Sequence, residues 1–168
     1  MALTVAVASA PSTARAYEGQ AGLWAAAGYT GIVGNTPLPP HAVHLGVGVG
    51  VGLDDTWELR GRLDYGFHVD AAHRAAASVD LVYVLDVLSV VPYLGIGAGG
   101  ALTVLSPSLG LGDVRGDFVT SVLLGLDVLL DRTWTIGVEI RPTFAVTHFD
   151  AEPFALSALA RAQVLLEV

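Results

Sequence analysis

The sequence predicts an all-β chain: an eight-stranded antiparallel up-and-down transmembrane β-barrel. Three observations carry this. From Val43 to Leu53 every odd position is Val or Leu and every even position from His44 to Gly52 is His or Gly, an unbroken period of two. The next segment, Trp57 to Val69, alternates in the same way but places Glu58, Arg60, Arg62, Asp64 and His68 on its second face. Charged residues make up only 14% of the chain and hydrophobic ones 53%, against roughly 25% charged in typical soluble domains. One wholly apolar face and one crowded, charged, glycine-rich face suit a narrow barrel with lipid outside and polar side chains inside.

Eight segments suit a strand: about Gln20–Val33, Ala42–Leu53, Trp57–Val69, Ala75–Val87, Val91–Leu105, Asp117–Leu130, Trp134–His148 and Phe154–Val168. Each exceeds the roughly 9–11 residues a tilted strand needs to cross a bilayer. A three-residue turn, Asp54-Asp55-Thr56, joins the second and third. It sets Val51 opposite Leu59, Val47 opposite Leu63 and Leu45 opposite Tyr65. On the other face, Gly50 meets Arg60, Gly48 meets Arg62 and Gly46 meets Asp64. The turn recurs: Leu53-Asp54-Asp55-Thr56-Trp57 matches Leu130-Asp131-Arg132-Thr133-Trp134. The second copy pairs Leu126 with Val138, Leu124 with Ile140 and Gly125 with Glu139. Its Asp and Thr side chains suit turn backbone, and its Trp suits the water–lipid boundary.

The tight connections, at 54–56, 88–90 and 131–133, alternate with mostly longer ones at Gly34–Pro40, Asp70–Arg74, Ser106–Gly116 and Phe149–Pro153. Short turns at one end and longer loops at the other is the outer-membrane pattern, and an even strand count puts both termini at the turn end. Val87 to Gly112 carries no charge over 26 residues, but Pro92, Pro107 and the glycines alternating with Leu94, Ile96 and Ala98 argue against a membrane helix.

The inward faces collect Glu58, Arg60, Arg62, Asp64, Asp80, Asp127, Glu139, Arg141, Arg161, Gln163 and Glu167. In a lumen sealed from lipid these must pair or be hydrated, and eight strands enclose a space that side chains fill. Trp57, Trp134 and Tyr93 are expected in the aromatic girdle at the turn end, and Tyr29, Phe67, Phe149 and Phe154 in the one at the loop end.

Residues 1–16 read as the remnant of an export signal, with an apolar run Ala2–Ala10 and a small-x-small cleavage pattern Ala14-Arg15-Ala16, leaving 17–168 as the barrel. The absence of cysteine excludes a disulfide framework and thiolate chemistry. A net charge of −8 argues against nucleic acid.

The segment Val91-Pro92-Tyr93-Leu94-Gly95-Ile96-Gly97-Ala98-Gly99 resembles a strand common in small outer-membrane β-barrel proteins, the type of the OmpA transmembrane domain and OmpX. The resemblance spans about Tyr17 to Val168. It implies a monomer in the outer membrane of a Gram-negative bacterium, contacts with outer-membrane lipids and insertion by the barrel-assembly machinery. That family usually ends in an aromatic residue; this chain ends Val164-Leu165-Leu166-Glu167-Val168.

The function expected on this basis is structural, or an interaction at the cell surface through the loops, without catalysis or cofactor. A narrow channel for small solutes is the alternative, and a lipid-modifying enzyme a third. A lipid A deacylase would carry His and Ser two apart on one strand, whereas position 150, two after His148, is Asp; Ser157 is the serine that approaches His148 across the last hairpin. A soluble barrel of lipocalin type needs the reverse polarity. All five histidines, His41, His44, His68, His73 and His148, fall near the loop end. The spacing His68-x-Asp70-x-x-His73 matches no metal template, so no metal site is assigned. A rim that gains positive charge below about pH 6.5 is the expected consequence instead.

Overall fold

The computed structural model describes residues 20–33, 40–68, 72–85, 89–105, 114–147 and 154–167. They form β1 (Gln20–Val33), β2 (His41–Gly52), β3 (Trp57–His68), β4 (Ala72–Val84), β5 (Val90–Leu105), β6 (Val114–Leu129), β7 (Trp134–Ala145) and β8 (Phe154–Glu167). Each strand pairs antiparallel with its neighbours in sequence, and β8 closes on β1, so no edge is left unpaired. Closure satisfies the backbone internally, as a hydrocarbon surrounding requires. No helix occurs among the described residues, and the uncharged stretch becomes β5. The expected export segment, 1–16, lies outside them.

The register follows the turn chemistry. Val51 pairs with Leu59, Val47 with Leu63, Gly50 with Arg60, Gly48 with Arg62 and Gly46 with Asp64. In the second copy Leu126 pairs with Val138 and Gly125 with Glu139. The β6–β7 ladder lapses between Ser121↔Thr143 and Leu124↔Ile140, beside Pro142, which has no N–H to give. Gln20 lies opposite Glu167, so the first and last strands begin and end together at the turn end.

Polarity by face is settled by exposure. Val43, Leu45, Val47, Val49 and Val51 are 49–53% exposed on the outer wall, while Arg60, Arg62 and Arg141 are 3–4% exposed inside.

Two strands start earlier at the loop end than the sequence expectation, for one reason. β4 begins at Ala72 rather than Ala75, so His73 and Arg74 belong to the strand and the β3–β4 connection is as short as the turns. β6 begins at Val114 rather than Asp117, and Arg115 Nε donates to Asp117 Oδ2 at 3.0 Å along the inner face. In an inside-out barrel a charged pair does not mark a loop. At β7 the strand stops at Ala145, and the Phe118 N–H is taken by Thr147 Oγ1 at 3.2 Å.

Candidate functional site in the polar lumen

The lumen is layered from the turn end to the loop end. Its base is apolar: Val82, Val84, Val91, Tyr93 and Leu123 form a cluster in which none is more than 3% exposed. Tyr93 is therefore a correction. It does not join the outer girdle but points inward, because it shares the face of Gly95, Gly97 and Gly99 on β5. Its hydroxyl donates to Glu139 Oε2 at 3.1 Å, and the Arg60 guanidinium lies 4.4 Å above its ring. The girdle position at that end is held by Tyr83, edge-on to Trp57 at 5.1 Å, together with the exposed Trp134. At the other end Tyr29 is exposed on the outer wall.

Beside and above the base the charges pair, some along one strand and some across the barrel. Arg60 donates to Glu58 at 2.8 Å and Arg161 to Asp127 at 3.0 Å, with Gln163 as a second partner of Arg161. Arg62 Nε reaches both oxygens of Asp64 at 2.7 Å, and Arg62 Nη1 reaches Glu139 at 2.5 Å, tying β3 to β7. Arg141 holds Asp80 through two parallel bonds of 2.8 and 2.6 Å and adds Ser121 at 2.8 Å. Fork-to-carboxylate geometry of this kind is the strong form of an ion pair. Eleven lumen residues are expected from the sequence. Ten of them stand here, Asp64 the most exposed of them, and the Glu167 side chain lies outside the described residues.

Trp24 is the large lumen residue that the charge pattern misses. It lies 4.9 Å from the Arg62 guanidinium and 5.4 Å from that of Arg161. The signal was present in the glycine row: a Cβ on Gly48 would run into the Trp24 ring.

The loop-side layer is a cluster of hydroxyls and an imidazole. Thr30 Oγ1 lies 2.8 Å from His44 Nδ1 and 2.7 Å from Ser157 Oγ, and Ser157 Oγ is 3.4 Å from the same ring nitrogen. On the far side of the ring, His44 Nε2 meets Asp64 Oδ1 at 2.9 Å. The cluster lines a cavity of about 70 Å³ shared with Arg141, Arg74, His68 and Thr143. Thr30 and Ser157 come together only through barrel closure, where β1 and β8 place them opposite each other.

The histidines divide by face. His44 and His68 are inside, and His41 and His73 outside, each beside a tyrosine, Tyr29 and Tyr65. His68 and His73 thus face opposite ways, Asp70 and His148 lie outside the described residues, and no group of three metal-ligating side chains converges among the described residues.

The two turns carry the same device. Asp54 Oδ1 accepts from Thr56 N–H at 2.7 Å and Trp57 N–H at 2.8 Å; Asp131 Oδ1 accepts from Thr133 N–H at 2.7 Å and Trp134 N–H at 2.8 Å. These backbone donors hold both carboxyls below the usual aspartate range.

No family model and no curated protein matches the chain. Solved structures do. Neisserial surface protein A has a TM-score of 0.66 at 12% identity, covering 89% of this chain and 96% of that one. The N-terminal β-barrel domain of Pseudomonas aeruginosa OprF scores 0.64 at 16% identity, covering 89% and 98%. Ail, the attachment invasion locus protein of Yersinia pestis, in complex with the heparin analogue sucrose octasulfate, scores 0.64 at 12% identity, covering 89% and 99%. The chain shares the fold of these eight-stranded outer-membrane barrels.

Proposed function

We propose that this chain is an integral barrel of a Gram-negative outer membrane, in contact with outer-membrane lipids and placed there by the barrel-assembly machinery. Its role is structural or a surface interaction through the segments that join strands at the loop end, 34–39, 106–113 and 148–153. The observation that carries the reading is the inverted polarity: half-exposed Val and Leu outside, buried Arg60, Arg62 and Arg141 inside. That arrangement is unfavourable in water and favourable in hydrocarbon. The capture of a sulfated sugar by Ail supports a surface role for the fold.

The conduit reading is weakened by the apolar base, where Val82 and Leu123 are fully buried and Val84, Val91 and Tyr93 close the same layer. Two measurements test the proposal. The purified protein in detergent is expected to migrate differently before and after boiling, as a closed barrel does. In planar bilayers it is expected to show no steady openings. A protein that stays in solution without detergent overturns the membrane reading. Steady openings that vanish on Arg62→Ala or Arg141→Ala favour the conduit instead.

A further inference from the structure

Beyond any role in the membrane, the loop-side cavity carries the parts of an acyl-transfer site. Four features coincide there. A hydroxyl pair, Thr30 and Ser157, lies 2.7 Å apart. One member sits 2.8 Å and the other 3.4 Å from His44 Nδ1. The opposite ring nitrogen lies 2.9 Å from Asp64, whose carboxylate is itself held by Arg62. With Nε2–H given to that carboxylate, Nδ1 carries the lone pair and accepts from the hydroxyl, so the ring is set as a base. Finally, Arg141 is the cross-strand partner of Ser157 and lines the same cavity, with its guanidinium fixed by Asp80, Ser78 and Ser121.

We propose that this cavity is an esterase-like site for short-chain acyl esters, with the Thr30–Ser157 pair as nucleophile and His44 as general base. The hydroxyl oxygen bonds to the ester carbonyl carbon as its proton passes to His44 Nδ1. The resulting oxyanion is stabilised by the positive charge of Arg141. The carbon–oxygen bond to the alcohol then breaks, and the alcohol leaves with the proton from His44. Water attacks the acyl group on the protein, again giving its proton to His44, and a carboxylic acid is released with the hydroxyl restored. Asp64 acts as a positioning residue that fixes the ring and its tautomer. Nucleophile, base and orienter in sequence is the arrangement that activates an otherwise weak hydroxyl.

The size of the site sets the substrate class. The space open to water-sized occupants is about 70 Å³, room for a few waters or a small acyl group. An acetyl group fits that space and a long fatty acyl chain does not. The layer beneath is filled by the Arg62 and Arg141 ion pairs, so a longer chain has no channel to enter.

The test is p-nitrophenyl acetate with the refolded barrel in detergent, followed as a burst of p-nitrophenol and as an acetyl adduct located by mass spectrometry. The expected result is a burst with the adduct on Thr30 or Ser157, and no burst with the laurate ester. His44→Gln is expected to lower the acylation rate on the order of a hundredfold. His41→Gln and His73→Gln, on the outer wall, are expected to leave it unchanged. Asp64→Asn is expected to lower the rate at saturating ester while the half-saturating concentration holds. Boiling-dependent gel mobility identifies variants that have not folded, and Thr30→Ser retains the hydroxyl where Thr30→Val does not fold. No adduct on either hydroxyl of the folded protein, or an adduct whose rate is indifferent to His44→Gln, overturns the proposal.

Discussion

At the scale of single residues the inner wall works by subtraction. Several glycines on it mark where a neighbour's long side chain lies, while Gly28 and Gly99 lie against neighbouring backbone. A Cβ on Gly97 would come within 2.7 Å of Ser121 Oγ and 3.0 Å of Arg141 Nη2, and one on Gly46 within 2.6 Å of Asp64 Oδ1. A tight test is Gly125, where a Cβ would overlap the Tyr93 ring and lie 2.5 Å from its Cε1. Gly125→Val is expected to destabilise the barrel by about 1–3 kcal/mol, the usual cost of overpacking. Combined with Tyr93→Ala it is expected to cost less than the sum of the two single changes, because the neighbour it collides with is gone. Urea unfolding of the refolded protein in lipid vesicles measures all four corners of this cycle. Strict additivity would show that the two residues do not share the space. The same logic explains why Tyr93 departs from the girdle expectation. An aromatic near the end of a strand suggests a girdle, but its parity with Gly95 and Gly97 puts it inside, and parity is the stronger constraint when the period is two.

At the scale of the element, register was legible because the turn announces itself. The Asp-x-Thr-Trp sequence supplies an acceptor for two backbone N–H groups, and the pairing of each hairpin follows by counting outward from it. Strand starts at the loop end were less legible, since Arg74 and Arg115 look like loop residues and are instead wall residues of a polar interior. The Thr30–His44–Ser157 cluster was not legible at all, because no turn joins β1 to β8 and their offset is fixed only by closure. The turn device makes a pH prediction. Both aspartates sit below their unfolded value, so their contribution is fully present above about pH 3.9 and is lost as pH falls through the lower folded value. Asp54→Asn with Asp131→Asn is expected to destabilise the barrel at neutral pH, and the gap from the wild type is expected to narrow as pH drops from about 5 toward 2. Unfolding followed by intrinsic tryptophan fluorescence across that range checks it. A gap that does not vary with pH would remove the charge from the account.

For the whole molecule, the lumen is two compartments rather than one tube. The charged layer ties strands across the barrel, β3 to β7 through Arg62–Glu139, β4 to β7 through Arg141–Asp80 and β6 to β8 through Asp127–Arg161, and this cross-bracing makes the cylinder rigid. Removing one member of such a pair leaves a buried charge without its counterpart and costs about 3–5 kcal/mol, so these links hold shape and are poor candidates for a gate. The apolar barrier of the proposed closed barrel is the Val82, Val84, Val91, Tyr93 and Leu123 cluster, which packs on the β4–β6 side of the lumen beside the buried Glu58 and Asp127. On the proposed closed-barrel reading, desolvating an ion there is the step that opposes conduction. Truncating the two largest members together, Tyr93→Ala with Leu123→Ala, removes that layer's bulk and the Tyr93 bond to Glu139 while leaving every charged side chain in place. The double variant is expected to show steady openings in planar bilayers where the parent shows none, while Asp80→Ala is expected to weaken the barrel toward urea and leave it closed. If the double variant folds, as its boiling-dependent mobility reports, and still passes no current, the seal must instead be the charged layer itself.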